Sequence, residues 1–456
     1  MEAGRMTPTR KTQERDRRKH AVILSGGGAK GAYEIGVMKA LFPGYSKSVS
    51  GGREIDPVAY TGTSVGSFNA AYMVSRPNQD TKQTLAELER IWRTEIAGSP
   101  TRPNGVLRFR ANPFELMDLD RLAADPLAPF RNLLEDAAFF ARESIERAQI
   151  FFRSQERLNH RAIQLIDLST FVATDKLGRL IRERIALPEV RRNQDQALVV
   201  AATNWEQGDV KLFGNLEPIG ELAGICPLDD KTGHLAILAS TAIPGVFPPI
   251  EINHTKYVDG GLLLNTPLGP ALRALRTIAP DEESYVIHVI YLDPDLKDVP
   301  FNHVNNTMDT LNRYTALSFA SQVNRDVKRA KYINQSLELM EKADKHNLEP
   351  APVVEALKKV QQPFRAFVKD RYRPITIHRY HPKSTLGGIF GLLAFDTDYI
   401  GQLIELGFND GVTHDCVESE CIFPTLSGVA AANEASRKMK RRATEQQSAL
   451  ETRLSR

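Results

Sequence analysis

The sequence predicts an α/β fold, a three-layer α/β/α sandwich built on a mainly parallel central sheet. Three observations carry that reading. Residues 21–75 repeat the order strand, glycine turn, helix. Short apolar runs return at Ala197–Ala202, Ala236–Ala239 and Val286–Leu292, between stretches of helical pattern. The chain's 456 residues, 42% hydrophobic and 25% charged, have globular proportions and length enough for a large core, which excludes disorder throughout.

The first strand is the run Ala21-Val22-Ile23-Leu24, which meets a glycine turn. A helix follows over Ala32–Leu41, with Ile35, Val37, Met38 and Leu41 apolar at helical spacing. A second strand at 57–61 runs into another glycine turn and a helix from about Ser64 to Val74. Strand, tight turn and helix in repetition is the pattern of parallel strands joined by crossover helices. Residues 98–165 break the rhythm: five prolines precede a helical pattern over about 129–162 bearing Phe130, Phe139, Phe140, Phe151 and Phe152. This reads as an inserted helical cap. Amphipathic helices are expected over about 307–345 and 353–369, which makes 300–435 a helical C-terminal part. The expected organisation is a basic flexible arm at 1–20, a catalytic domain at 21–435 and a basic tail at 436–456.

Fifty-nine basic residues face 56 acidic ones, a net charge of +3. That balance speaks against a dedicated nucleic-acid binder. It conceals an uneven distribution, with +4 in residues 1–20, +5 in 436–456 and −6 in the body between. The only apolar stretch behind the basic N-terminus is four residues long, too short for a signal peptide, and no window approaches the ~20 residues that span a bilayer. A soluble, cytoplasmic protein is expected, or one that rests on a membrane without crossing it. The three cysteines, Cys226, Cys416 and Cys421, exclude a disulfide scaffold. Cys416 and Cys421 are spaced C-x-x-x-x-C with only His414 nearby, and read as ordinary thiols because a zinc site normally needs four ligands.

Three motifs carry chemistry. Ser25-Gly26-Gly27-Gly28-Ala29-Lys30-Gly31 follows a strand and opens a helix. Its bare backbone and the helix start suit either a dinucleotide pyrophosphate, through Gly26, Gly28 and Gly31, or the oxyanion of an acyl transfer. Gly62-Thr63-Ser64-Val65-Gly66 has the G-x-S-x-G form that lifts a serine hydroxyl above a sheet on a sharp turn. Tyr257-Val258-Asp259-Gly260-Gly261 puts a carboxylate at the end of a strand, where partial burial would make it basic enough to take a serine proton. None of the ten histidines occupies an obvious turn beside these motifs; His288 sits in a strand-like run and reads as core, and His378 and His381 imply no partner.

Taken together and in this order, the motifs make the chain resemble the patatin-like phospholipases. Ala239-Ser240-Thr241-Ala242-Ile243-Pro244-Gly245-Val246-Phe247-Pro248-Pro249 looks like that family's approach to its aspartate, and Leu198 through Phe213 looks like the strand pair before it. Lys30 stands where the family often has arginine, and Val65 where it often has alanine. The resemblance implies a Ser–Asp dyad of Ser64 and Asp259 without histidine. It implies an oxyanion hole from the backbone N–H groups around Gly27 and Gly28, in a loop shaped by Gly26, Lys30 and Gly31. Gly62 and Gly66 would flank the nucleophile, and Gly260 and Gly261 would support the aspartate. Phospholipid or lysophospholipid acyl esters are the substrates implied, at a peripheral membrane surface, with no cofactor, no metal and no nucleic acid. Two rivals remain open. One is a patatin-fold effector or scaffold whose activity is latent. The other is a nucleotide-binding α/β protein, for which Glu54 and Asp56 have the spacing of a ribose-binding carboxylate.

Overall fold

A computed structural model describes residues 15–98, 105–109, 175–295, 373–425 and 428–438, with shorter stretches between them. Most of the insertion read at 98–165, the helix read at 353–369, the first fourteen residues and the end of the tail lie outside the described residues.

Five strands run parallel in the spatial order β9-β8-β1-β2-β3: β1 (His20–Leu24), β2 (Ala59–Thr63), β3 (Ala197–Asn204), β8 (Tyr285–Ile290) and β9 (Ile375–Tyr380). Beyond β3 the sheet turns antiparallel with β4 (Asp209–Gly214), which pairs in turn with β5 (Cys226–Pro227). A hairpin of β6 (Ile250–Ile252) and β7 (Thr255–Asp259) joins β3 from its other side. A two-residue pairing of Arg108–Phe109 with Val172–Ala173 stands apart from this sheet.

β1 shows why the strand sequence reads as an unbroken apolar run. Val22 and Leu24 enter the core on one face, with α1 (Ala32–Leu41), α2 (Val65–Val74) and α3 (Thr81–Ile91). Ala21 and Ile23 enter the core on the other face, beneath α5 (Leu268–Ile278). Both faces are covered, so alternation disappears, as it does in parallel sheets. The three-layer expectation holds.

Two readings change. The run Ala236–Ala239 lies in a helix, α4 (Gly233–Ser240), rather than a strand. Four apolar residues carry no period that separates a buried helix turn from a buried strand, and the glycine and serine at its ends suit a helix between turns equally well. The 300–435 region, read as helical, also contributes the edge strand β9; its Pro374 and Pro382 flanks and its His378-Arg379-Tyr380 segment disguised a strand buried nearly throughout.

That region closes back on the first helix. α7 (Thr397–Val412) packs on α1 through small residues: a Cβ on Gly36 would come within 2.0 Å of the Ile404 carbonyl, and one on Gly407 within 2.1 Å of the Tyr33 carbonyl. Only hydrogen at these positions lets the backbones approach so closely. The basic arm is tied down from residue 15 on, since the Asp16 N–H donates to the Glu54 carbonyl at 2.8 Å and Arg18 pairs with Asp16 at 2.7 Å.

Candidate active site

Parallel strands place their carboxyl ends together, and the first two chemistry-bearing motifs follow β1 and β2 there. Ser64 is the residue between β2 and α2. Its φ of 55° and ψ of −130° fall where a side chain is seldom tolerated. The flanking glycines make the turn possible. A Cβ on Gly62 would lie 2.3 Å from the Gly66 carbonyl, and one on Gly66 2.3 Å from that of Leu24. The Ser64 N–H donates to Ser240 Oγ at 2.9 Å, and that hydroxyl donates onward to the Ala201 carbonyl at 2.6 Å.

Asp259 reaches Ser64 because both are indexed on β3. Thr63, the residue before Ser64, pairs with Ala201; Asp259 pairs with Ala202. β2 ends at this point and β7 takes its place along the same edge. The Asp259 main chain is held at both ends, its N–H donating to the Ala242 carbonyl at 2.8 Å and its carbonyl accepting from Thr203 Oγ1 at 3.0 Å. Asp259 is 6% exposed and Ser64 3%. Burial pushes the Asp259 carboxyl up from its ordinary 3.8 to about 7, against the opposing pull of hydrogen bonds from the Ser64 side chain and the Gly261 N–H. The second of these is 2.7 Å long. Gly260 has no room for a side chain, since a Cβ there would sit 2.2 Å from the Ala201 carbonyl.

The Gly-rich loop faces this pair. A Cβ on Gly26 would be 2.8 Å from the Cβ of Ser64, so loop and serine are in direct contact. The Gly26 N–H is committed to Asn265 Oδ1 at 2.9 Å. Thr63 Oγ1 donates to the neighbouring Leu264 carbonyl at 2.9 Å, so one loop clasps both turns. Gly28 adopts φ +55°, and a Cβ there would strike the Leu392 carbonyl at 2.1 Å. That carbonyl belongs to α6 (Gly388–Leu393), which lies against the Gly-rich loop. The Leu392 backbone therefore forms part of the wall of the site. Lys30 is buried and its ammonium pairs with Asp293 at 2.9 Å, just past β8, so its charge is spent in fastening the loop. Gly31 packs under Val65, whose methyl would be 2.6 Å from a Cβ there; the branched residue fills the space beside that glycine. Asn69 on α2 steadies the same loop, donating to the Gly31 carbonyl at 3.3 Å and to Glu34 at 2.8 Å while accepting from the Trp92 indole at 2.8 Å.

The family model for patatin-like phospholipases matches residues 22–272, more than half the chain. The chain belongs to the patatin-like phospholipase family. Its mostly parallel sheet with flanking helices is the patatin fold. Similar solved structures include VipD from Legionella pneumophila, 14% identical, covering 88% of this chain and 72% of that one with a TM-score of 0.31. The type III effector protein ExoU is also 14% identical, covering 96% of this chain and 64% of that one with a TM-score of 0.27. A structure of SpcU in complex with ExoU, from the type III secretion system of Pseudomonas aeruginosa, covers 77% of this chain and 61% of that one at 14% identity and a TM-score of 0.20. The chain therefore spans less than two thirds of both ExoU chains. No curated protein matches it.

Three residues of this patatin-like site lay beyond the motifs. Ser240 holds the Ser64 amide, Asn265 holds that of Gly26, and Asp293 neutralises Lys30. Ser240 stands in the segment that resembles the family's approach to its aspartate, and Asn265 follows Asp259 by six residues, so both carry a signal, whereas Asp293 carries none. His288 is wholly buried in β8, as a core residue should be. Glu54 and Asp56 precede β2 and so lie at the end of the strands opposite the Gly-rich loop, occupied by Lys82 and by Thr81 and Arg15. Among the described residues no helix is long and apolar enough to cross a membrane.

Proposed function

We propose that the protein is a serine acyl hydrolase that cleaves fatty-acyl ester bonds of phospholipids or lysophospholipids. One observation carries this reading: a buried carboxyl, raised to about 7, hydrogen-bonded by a serine that sits on a strained turn against a glycine loop. Asp259 takes the Ser64 proton as the hydroxyl oxygen attacks the ester carbonyl. N–H groups of Gly27 and Gly28 stabilise the oxyanion, Gly26 being engaged by Asn265. Asp259 returns the proton to the leaving alcohol, and then activates the water that frees Ser64. No step calls on histidine. The catalytic unit is read as 21–435, since β8, β9 and α7 lie beyond the matched segment yet extend the same sheet and pack on α1.

The test is covalent. A fluorophosphonate probe should label Ser64, and Ser64→Ala should lower turnover of para-nitrophenyl butyrate by at least ~10³-fold with the fold intact. Labelling elsewhere, or persistent turnover, would remove the reading. Lipid analysis of membranes exposed to active protein and to Ser64→Ala then identifies the ester. The basic arms favour action at an anionic surface, where each cation contributes ~1 kcal/mol; vesicle flotation with and without the arms measures it. A second reading, activity latent until a partner uncovers the site, is favoured by the burial of Ser64 and by α6 lying on the Gly-rich loop. Turnover that appears only with a partner would identify it.

A further inference from the structure

At the sheet edge, on strand β9 and three strands from β2, a second constellation assembles from parts that are distant in sequence. Cys416, Cys421 and His414 lie in the loop after α7. His378 comes from β9, 36 residues before His414. The ligand-type atoms of these four side chains all lie within 4.8 Å of one another, and three of the four residues are buried. Cys416 Sγ is 3.5 Å from His378 Nδ1, and Cys421 Sγ is 3.3 Å from His414 Nε2. With Zn–S near ~2.3 Å and Zn–N near ~2.0–2.1 Å, a tetrahedral ion would hold sulfur and nitrogen about 3.5 Å apart. Those two separations already match such edges.

We propose that His378, His414, Cys416 and Cys421 form a structural zinc site. The sequence supplied three of the ligands in a C-x-x-x-x-C segment and lacked the fourth, which the strand pairing of β9 delivers. Two thiolates and two neutral imidazoles balance a divalent cation and favour zinc over the oxygen-seeking metals. Two of the ligands have outer partners. The Arg379 backbone N–H donates to Cys421 Sγ at 3.4 Å. His414 Nδ1 faces Ser419 Oγ at 3.5 Å, so its proton has an outer partner when Nε2 is the ligand. The loop is pre-shaped by the Cys421 N–H on the Cys416 carbonyl at 2.9 Å and by a paired bridge of Ile377 with Ile422. A surface pocket of about 270 Å³, lined in part by Tyr380, His381, Asp410, His414, Asp415 and Ser419, gives an ion its approach. Four protein ligands leave no open position, so the ion would fasten the end of α7 and residues 414–423 to the sheet edge rather than perform chemistry.

Metal analysis of the full chain, purified reduced and without chelator, tests this. About one zinc per chain is expected, falling at least ~10-fold in Cys416→Ser and in His414→Ala. Because either variant could fail to fold, cobalt(II) added to chelator-stripped wild-type protein gives a second readout, the ligand-field spectrum of a tetrahedral cobalt thiolate. Wild-type protein with less than ~0.1 zinc per chain and no such spectrum would overturn the proposal. So would full zinc content in the folded variants, or an intact mass two hydrogens short, which marks a Cys416–Cys421 disulfide as the resting form.

Discussion

Replacing Asp259 by Asn should stabilise the protein in a pH-dependent way while disabling it. A carboxyl whose ordinary value is 3.8 and whose native value is about 7 binds its proton more tightly in the folded chain than in the unfolded one. Stability is then complete below ~4 and is lost as the pH rises, with the loss complete once the pH passes the native value. At ~1.4 kcal/mol per tenfold in proton affinity, the distance between the two values corresponds to about 4 kcal/mol, as an order of magnitude. Asn has the same shape, can accept the Gly261 N–H, and carries no charge to desolvate. The stability difference between Asp259→Asn and wild type should therefore grow by roughly 4 kcal/mol between pH 4 and pH 8 and then level off. Urea unfolding at a series of pH values measures it. In the wild type, kcat/KM for a soluble ester should rise with pH to a plateau with its midpoint near 7, because only the carboxylate can accept the Ser64 proton. The variant should lose ~10²–10⁴ in rate. A stability difference that stays flat with pH, or a rate midpoint near 4, would refute the assignment of Asp259 as a buried base.

Two further outcomes follow from the walls of the site. Gly28→Ala forces a side chain onto φ +55° and into the Leu392 carbonyl, so the loop must shift; soluble-ester turnover should fall by about 10²–10³, read alongside the rate of fluorophosphonate labelling. Ser240→Ala strands the Ser64 N–H in the interior and should cost ~1–3 kcal/mol in denaturant unfolding, with reduced turnover as the turn loosens.

The parts of this molecule legible in its sequence are those whose physics is local. The helix read over Ala32–Leu41 has those bounds in the structure, because its apolar spacing and the preceding glycines leave little choice. Ser64 and Gly62 announce themselves for the same reason, since a tight strand-to-helix turn writes its glycines into five consecutive residues. Partners that act across the fold leave no such trace. Ser240 lies in a segment marked by the family resemblance, but nothing in that segment says that its hydroxyl holds the Ser64 amide. Lys30 stands in the Gly-rich loop, but its charge is taken up by Asp293, more than 260 residues away. His378 and Cys416 are brought together where the loop after α7 pairs with β9 through Ile377 and Ile422, and β9 is the strand that the polar character of its residues concealed.

The pairing of Thr63 with Ala201 and of Asp259 with Ala202 makes β3 a ruler on which two distant segments are read off. The distance between Ser64 and Asp259 is set by one backbone repeat, not by the nearly two hundred residues that connect them. Those residues are consequently free to vary in length, and an insertion between Ser64 and β3 can acquire a role of its own without disturbing the placement of Ser64 beside Asp259. A slip of one residue within β3 has the opposite effect, turning every side chain to the other face and parting the two groups. Such an arrangement lets a family diversify its accessory segments while its chemistry stays in register.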